Sequence, residues 1–470
     1  MQYFFTVGWF TLLLCLGEIR VGFSDDSRLF SEQVVPLLVE KCFCCHGGAT
    51  TEGGYSVADT SLLFKPGESG INPVSLDNLN SSELLLRLTS EDATVRMPLD
   101  AEPLTTSEID CVRRWLLSGA KIDASQQPIK LVEIYGQSKT SARAPKHYSK
   151  SLPISSLLLS PDGSFLLVAG YSEVLIWSVE QQSLDSRLPT RGRMITDLKW
   201  APGGQLITAS GIPGRFGVLE AFDFATKTPI ATFGFSRDVC SSVAASPYRN
   251  EIAAGFVDGS VTLFSLDEFK PRVSSVPHAA GVTSVHWSSK DNRIFSASLD
   301  RTAKSFEAKD GQVLFAYSNH ERTVGGVANT QFGPMTLDET GTLRLWSEGE
   351  EVRSIAKFEG LPQKVQHVEV ANGFVLVPEP ERIRRFTIIQ DEVDDDKGNE
   401  KDKSEPKKPK KKKRTRIAED ESLQSIPSRN ISSITTNSNG LIAAGLNNGQ
   451  VVIWRIEESA KPWKTWNAYP

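Results

Sequence analysis

The stretch Pro277–Glu307, PHAAGVTSVHWSSKDNRIFSASLDRTAKSFE, decides how the larger part of this chain folds. Short runs of alternating apolar and polar residues mark half-buried strands, broken by turn dipeptides such as Asp300-Arg301 and closing on an aromatic, Phe306. That aromatic position recurs at Trp177, Phe222, Phe264, Phe306, Trp346, Phe386 and Trp454. The first five steps are 45, 42, 42, 40 and 40 residues, and the last is 68. A period near 40 with four short strands per unit is the mark of propeller blades. Seven repeats over residues 150–460 are expected, with sheet edges removed by closing the ring. Either Ile129–Tyr135 or the C-terminal tail could supply the closing strand.

The long last step contains an insertion, residues 391–424, that runs from acidic (DEVDDD) to basic (PKKPKKKKRTR) and back to acidic (EDES). Almost nothing there can be buried, so a charged, disordered loop is expected, or else a docking patch for an acidic partner or membrane face. The chain as a whole is that of a globular protein, 39% hydrophobic and 23% charged. Its net charge of -5 gives no reason to expect nucleic acid as a partner. At 470 residues it is too long for one core, so several domains are expected.

Ahead of the repeats, Phe4–Gly17 is too short to span a bilayer comfortably but suits a secretory h-region, and Gly22 and Ser24 stand at small-x-small spacing. Residues 1–24 are therefore read as a signal peptide and the protein as exported to the periplasm or cell envelope. A linker is expected at 124–149.

Between signal and linker, residues 26–123 carry helical patterns at both ends. Phe30, Val34, Leu37 and Leu38 recur at helical spacing, and Pro36 predicts that the regular helix starts there. Thr105 and Glu108 form a capping-box pattern ahead of Ile109, Val112, Trp115 and Leu116, with Gly119 at the stop. Two such helices make a poor core, which a large flat cofactor would complete.

Three of the six cysteines crowd into Cys42-Phe43-Cys44-Cys45-His46. This contains C-x-x-C-H, the attachment pattern for c-type haem. Two thiols about a helical turn apart can each bond a vinyl group, and the adjacent imidazole is directed at iron. Cys44 is not needed by this scheme and is read as a buried small hydrophobe or as a competitor for thioether formation. A zinc site would need further ligands, and only Cys111 is near in sequence. Met97, followed by Pro98, is the candidate sixth ligand, and a Met/His pair favours electron transfer.

Residues 29–120 resemble the planctomycete-type cytochrome c domain through VVPLLVEKCFCCHGG, GGYSVADTSLLFKPGESG, SELLLRL, RMPLD and LTTSEIDCVRRWLLSGA. The resemblance implies one covalent haem c on Cys42, Cys45 and His46, with Met97 distal. Leu99 stands where that family often has a second Pro. Residues 277–307 in turn resemble a WD40 repeat, with His278 and Asp300 matching its polar pair and Phe306 replacing the usual Trp.

The fold expected is thus a small all-α haem domain followed by an all-β seven-bladed propeller. The function expected is single-electron transfer, with the propeller as a platform for a redox partner and other envelope proteins; membrane association is not required. An interaction scaffold with a structural or sensory haem, and a haem-dependent oxidoreductase with its active site on the propeller, are the alternatives. His147, His278, His286, His320 and His367 show no ligand spacing that would favour the last.

Overall fold

The computed structural model describes residues 28–470 apart from 48–50, 124–127, 139–143, 289, 349–351, 364, 366, 372, 395–410, 421–429 and 457–461. The signal peptide expected at 1–24 lies outside the described residues. The chain divides into two units, 1–135 and 136–470.

In the first unit a helical run, α1, occupies residues 28–46. It begins well before Pro36, correcting the start that the sequence suggests. The backbone widens to i→i+5 bonding at Phe30–Val34 and again at Leu38–Cys42. The wider turn ahead of Pro36 tolerates its missing N–H and leaves space for its ring. Three helices follow: α2 (Glu83–Thr89), α3 (Thr106–Leu117) and α4 (Leu131–Ser138). The capping box of α3 is present, with Glu108 N donating to Thr105 Oγ1 and Thr105 N donating to Glu108 Oε2. At the other end Gly119 takes φ +87°, a left-handed stop that glycine adopts without strain. The Trp115 ring stacks on Phe30 at 5.3 Å, and its indole N–H donates to Lys121 O. Ile129 O accepts from Thr60 N and Lys130 bridges Asp59, while the residues beyond form α4, so this segment is not a closing strand.

In the second unit the described residues form strands β1–β27 in antiparallel sheets. Five sheets have four strands each: β8–β11 (240–275), β12–β15 (282–317), β16–β19 (324–358), β20–β23 (369–419) and β24–β27 (431–467). A seven-stranded sheet, β1–β7 (157–236), precedes them. Its β4 (Ser183–Trp200) is long enough to pair with β3 (Tyr171–Ser178) through its first half and with β5 (Leu206–Ile212) through its second. The result is an all-β propeller.

The inner strands β1 (Leu157–Leu159), β4, β8 (Cys240–Ala245), β12 (Val282–Trp287), β16 (Val324–Thr330), β20 (Glu369–Ala371) and β24 (Ile431–Thr436) neighbour one another in a closed circle. The apolar core is divided among the gaps between sheets. Phe295, Ala297 and Tyr317 of one sheet, for instance, pack on Val324, Val327 and Trp346 of the next. Trp177, Phe222, Phe264, Phe306, Trp346, Phe386 and Trp454 are all buried on strands third from the centre.

Hydroxyl groups join the inner strands. Each of β8, β12, β16 and β24 has a bulge near its start, and β4 has one where its second half begins to pair with β5; the extra residue is Ser241, Thr283, Gly325, Ser432 or, in β4, Thr196. Thr196 donates to Cys240 O (2.5 Å), Ser241 to Val282 O (2.6 Å) and Thr283 to Val324 O (2.6 Å). Ser155 donates likewise to Ile195 O, and Ser432 closes the circle on Ile154 O (2.8 Å). The C-terminal tail supplies β27 (Lys464–Asn467), the outer strand of the last sheet, and Tyr148 N donates to Pro470 O.

The charged insertion departs from a disordered loop. Strands β22 (Ile383–Asp394) and β23 (Lys411–Glu419) pair continuously from Phe386↔Glu419 to Asp394↔Lys411. Asp391 falls opposite Arg414 in register, with Arg416 Nε 3.1 Å from its Oδ2, and opposite charges across a ladder are stabilising. Buried Ile388 and Ile417 face one another further in. Residues 395–410 and 421–424 lie outside the described residues.

Two buried polar networks tie strands together. His278 Nδ1 bonds Asp300 Oδ2 at 2.9 Å and its Nε2 bonds Ser296 Oγ at 2.7 Å. A fuller version, invisible in the sequence reading, joins Trp346 Nε1, Thr336 Oγ1, His320 and Asp338. Burial alone would raise the Asp338 pKa, but hydrogen bonds from His320, Thr340 and Arg344 outweigh it and hold the carboxyl far below the usual range. A depressed carboxyl contributes stability that is complete above about pH 4 and lost as pH falls towards its folded value. Asp338→Asn should therefore lower the urea midpoint at pH 7 and flatten its fall below pH 4. At the inter-strand belt, Thr283→Val should cost about 1–2 kcal/mol in urea unfolding, because Val324 O loses its donor.

Candidate functional site

Helix α1 ends on the cysteine cluster. Its last turn, Phe43–His46, follows directly on Cys42, and Gly47 N donates to Phe43 O at 2.9 Å. A Cβ on Gly47 would lie 2.3 Å from the Phe43 ring, so only glycine lets the chain leave the helix here. Val57 N donates to His46 O at 2.7 Å, fixing the strand-like return of the chain beside the helix end.

Cys42, Cys45 and His46 thus come together on one helical turn. Both thiols are free. Burial first, and then the neighbouring thiols, push Cys42 up to about 12, and the Cys45 thiol is raised chiefly by its bond with Cys44. At neutral pH both remain S–H groups. Cys44 is exposed rather than buried, correcting one of its expected roles, with its Sγ 3.5 Å from Cys45 Sγ. His46 is half-buried, and its Nδ1 lies 3.2 Å from Tyr55 O. A carbonyl accepts only, so Nδ1 carries the proton and Nε2 keeps a free lone pair, the arrangement of an imidazole prepared for a metal. Tyr55 is itself held by its hydroxyl, which donates to Leu63 O at 3.2 Å.

Met97 sits on a separate loop after α2. Its N–H donates to Arg87 O at 3.0 Å, and the Met97–Pro98 peptide is cis. Met97 is half-buried, and on the same stretch of chain Val95 is 38% exposed and Leu99 43%, while Leu86, next to Arg87, is 48% exposed. Beside it the Arg96 Nε is buried without a hydrogen-bond partner. Phe64, Ile71, Leu76 and Leu117 are exposed in the same unit. An uncovered apolar surface, two protonated thiols and an oriented imidazole fit a flat, hydrophobic, iron-bearing ring.

No three His, Cys, Asp or Glu side chains among the described residues are grouped to hold a metal ion. Among the described residues no helix is long and apolar enough to cross a membrane. His278 and His320 are taken up by the strand-tying networks. His286 and His367, however, share the central cavity with Asp197, Lys199 and Glu369, a grouping that sequence reasoning missed. The signal lay in the repeat: Lys199 and His286 each stand three residues past a bulge residue, Thr196 and Thr283.

Residues 42–100 match the family Planctomycete cytochrome C, and residues 270–307 match WD domain, G-beta repeat. The chain therefore joins a planctomycete-type cytochrome c segment to a β-propeller containing a WD40 repeat. The cytochrome family implies haem. Among curated proteins, the WD repeat-containing protein 55 homolog of Dictyostelium discoideum is 28% identical over 103 residues, 21% of this chain and 25% of that protein. The COMPASS component SWD3 of Saccharomyces cerevisiae is 27% identical over 165 residues, 33% of this chain and 49% of that protein. Minichromosome loss protein 1 of Schizosaccharomyces pombe is 25% identical over 183 residues, 37% of this chain and 21% of that protein. The chain thus spans at most about half the length of these relatives.

Gly47→Ala should lower the thermal midpoint of the first unit by several degrees in the full chain, because the Phe43 ring must leave its place.

Proposed function

We propose that this protein is an exported c-type haem protein that passes single electrons, with its propeller as the docking platform for a redox partner and other envelope proteins. One observation carries the haem reading: on a single helical turn, two free thiols flank an imidazole whose Nδ1–H is committed to Tyr55 O. Cys42 and Cys45 would each form a thioether by adding S–H across a vinyl C=C, with no atom lost. His46 Nε2 would be the proximal ligand and Met97 Sδ the distal one. Bound in this way, haem supplies a one-electron couple whose potential is raised by the Met/His pair. Tyr55 O orients the imidazole, and the exposed side chains of Leu86, Val95 and Leu99 would supply apolar contact for the ring.

The platform reading is supported by the propeller architecture and by the WD repeat at 270–307. The propeller is counted as seven-bladed, with the seven-stranded sheet taken as two blades joined by β4. This count is supported by the circle of seven inner strands and by Thr196, which makes the same belt contact from β4 as Ser241 and Thr283 make from later sheets. Export is supported by the apolar run Phe4–Gly17.

Production in a host that attaches c-type haem tests the proposal. Intact-mass measurement should find one porphyrin per chain, and Cys42→Ala with Cys45→Ala should abolish it. A wild-type chain without porphyrin would overturn the electron-transfer role. Met97→Ala should lower the midpoint potential and allow cyanide to bind the iron; an unchanged spectrum would remove Met97 from the coordination sphere.

A further inference from the structure

The centre of the propeller holds a cavity of about 130 Å³ lined by side chains from all the inner strands. A single water needs only about 10–15 Å³ on such a measure, so there is room for several waters or one small polyatomic ion. Most of the lining is hydroxyl groups and backbone, but five ionisable residues meet there: Asp197, Lys199, His286, His367 and Glu369.

Their hydrogen bonds show what is already committed. Both Asp197 oxygens are occupied, Oδ1 accepting from Leu198 N and Oδ2 from Val243 N, each at 2.8 Å. That carboxylate is part of the bond between β4 and β8. His286 Nδ1 lies 2.8 Å from Trp287 O, so its proton is committed and the ring is neutral; burial lowers its pKa to about 4. His367 is likewise lowered by burial. Burial raises the Glu369 carboxyl, against the opposing pull of Lys199. Lys199 is held in its charged form, first by Asp197 and then, against burial, by Glu369. Its ammonium has three N–H donors, and none meets an acceptor within the protein among the described residues.

We propose that the central cavity binds a small oxyanion, a carboxylate or phosphate group, with Lys199 as its anchor. Lys199 supplies the positive charge, the Ser284 hydroxyl donates to a remaining oxygen, and the neutral imidazoles accept any ligand proton. A metal cation fits less well, since no three His, Cys, Asp or Glu side chains among the described residues are grouped to hold one. The inference is independent of the haem, because every residue involved lies in the second unit.

Isothermal titration of the full-length protein with inorganic phosphate and, separately, with acetate tests it, using chloride at equal ionic strength as the control. One phosphate or acetate per chain should bind, with chloride giving no saturable heat. The response to the two probes identifies which oxyanion chemistry the cavity takes. Lys199→Met should weaken binding at least about tenfold and Lys199→Arg should largely retain it. If Lys199→Met does not fold, Ser284→Ala gives the second reading, with a loss of about threefold or more expected. No saturable binding, equal binding of chloride, or affinity unchanged in the folded variants would each overturn the proposal.

Discussion

The second unit depends on hydroxyl groups that reach from one sheet to the next. Apolar packing between sheets is strong but weakly directional, and it would tolerate sheets sliding past one another. A bulge at the start of an inner strand turns one extra residue out of the ladder, and a serine or threonine there donates to the neighbouring strand's carbonyl. This bond fixes the height of each sheet against the next. Gly325 holds the bulge position in β16 without a hydroxyl, and the adjoining contact relies on packing by Leu337, Val375 and Phe386.

Much of this was legible in the sequence because the propeller is written as a repeat. The buried aromatics at Trp177 through Trp454 appear as a period, and Thr105, Glu108 and Gly119 mark a helix by local chemistry that needs no tertiary context. That Cys42, Cys45 and His46 share one helical turn was legible for the same reason, since their spacing fixes it. What stayed hidden was set by partners distant in sequence. Asp391 and Arg414 look like solvated charges until the ladder opposes them. The start of α1 was hidden because widened turns around Pro36 carry no residue code of their own.

The first unit shows what a small domain does when its core is incomplete. Phe30, Trp115 and Val112 make a compact apolar centre, but Leu86, Val95 and Leu99 remain uncovered near Met97. A domain of this size gains little from burying its own side chains. An apolar prosthetic group would extend that core at the place where its chemistry is needed.

The last sheet, built wholly from residues after 430, has a consequence for biosynthesis. Ser432 reaches back to Ile154 and Pro470 to Tyr148, so the circle stays open until these late residues are in place. The cysteine segment, by contrast, precedes every strand of the circle. The helical unit can therefore form before the ring closes, and a chain that stops short of residue 430 leaves a split ring whose unpaired flank is open to aggregation.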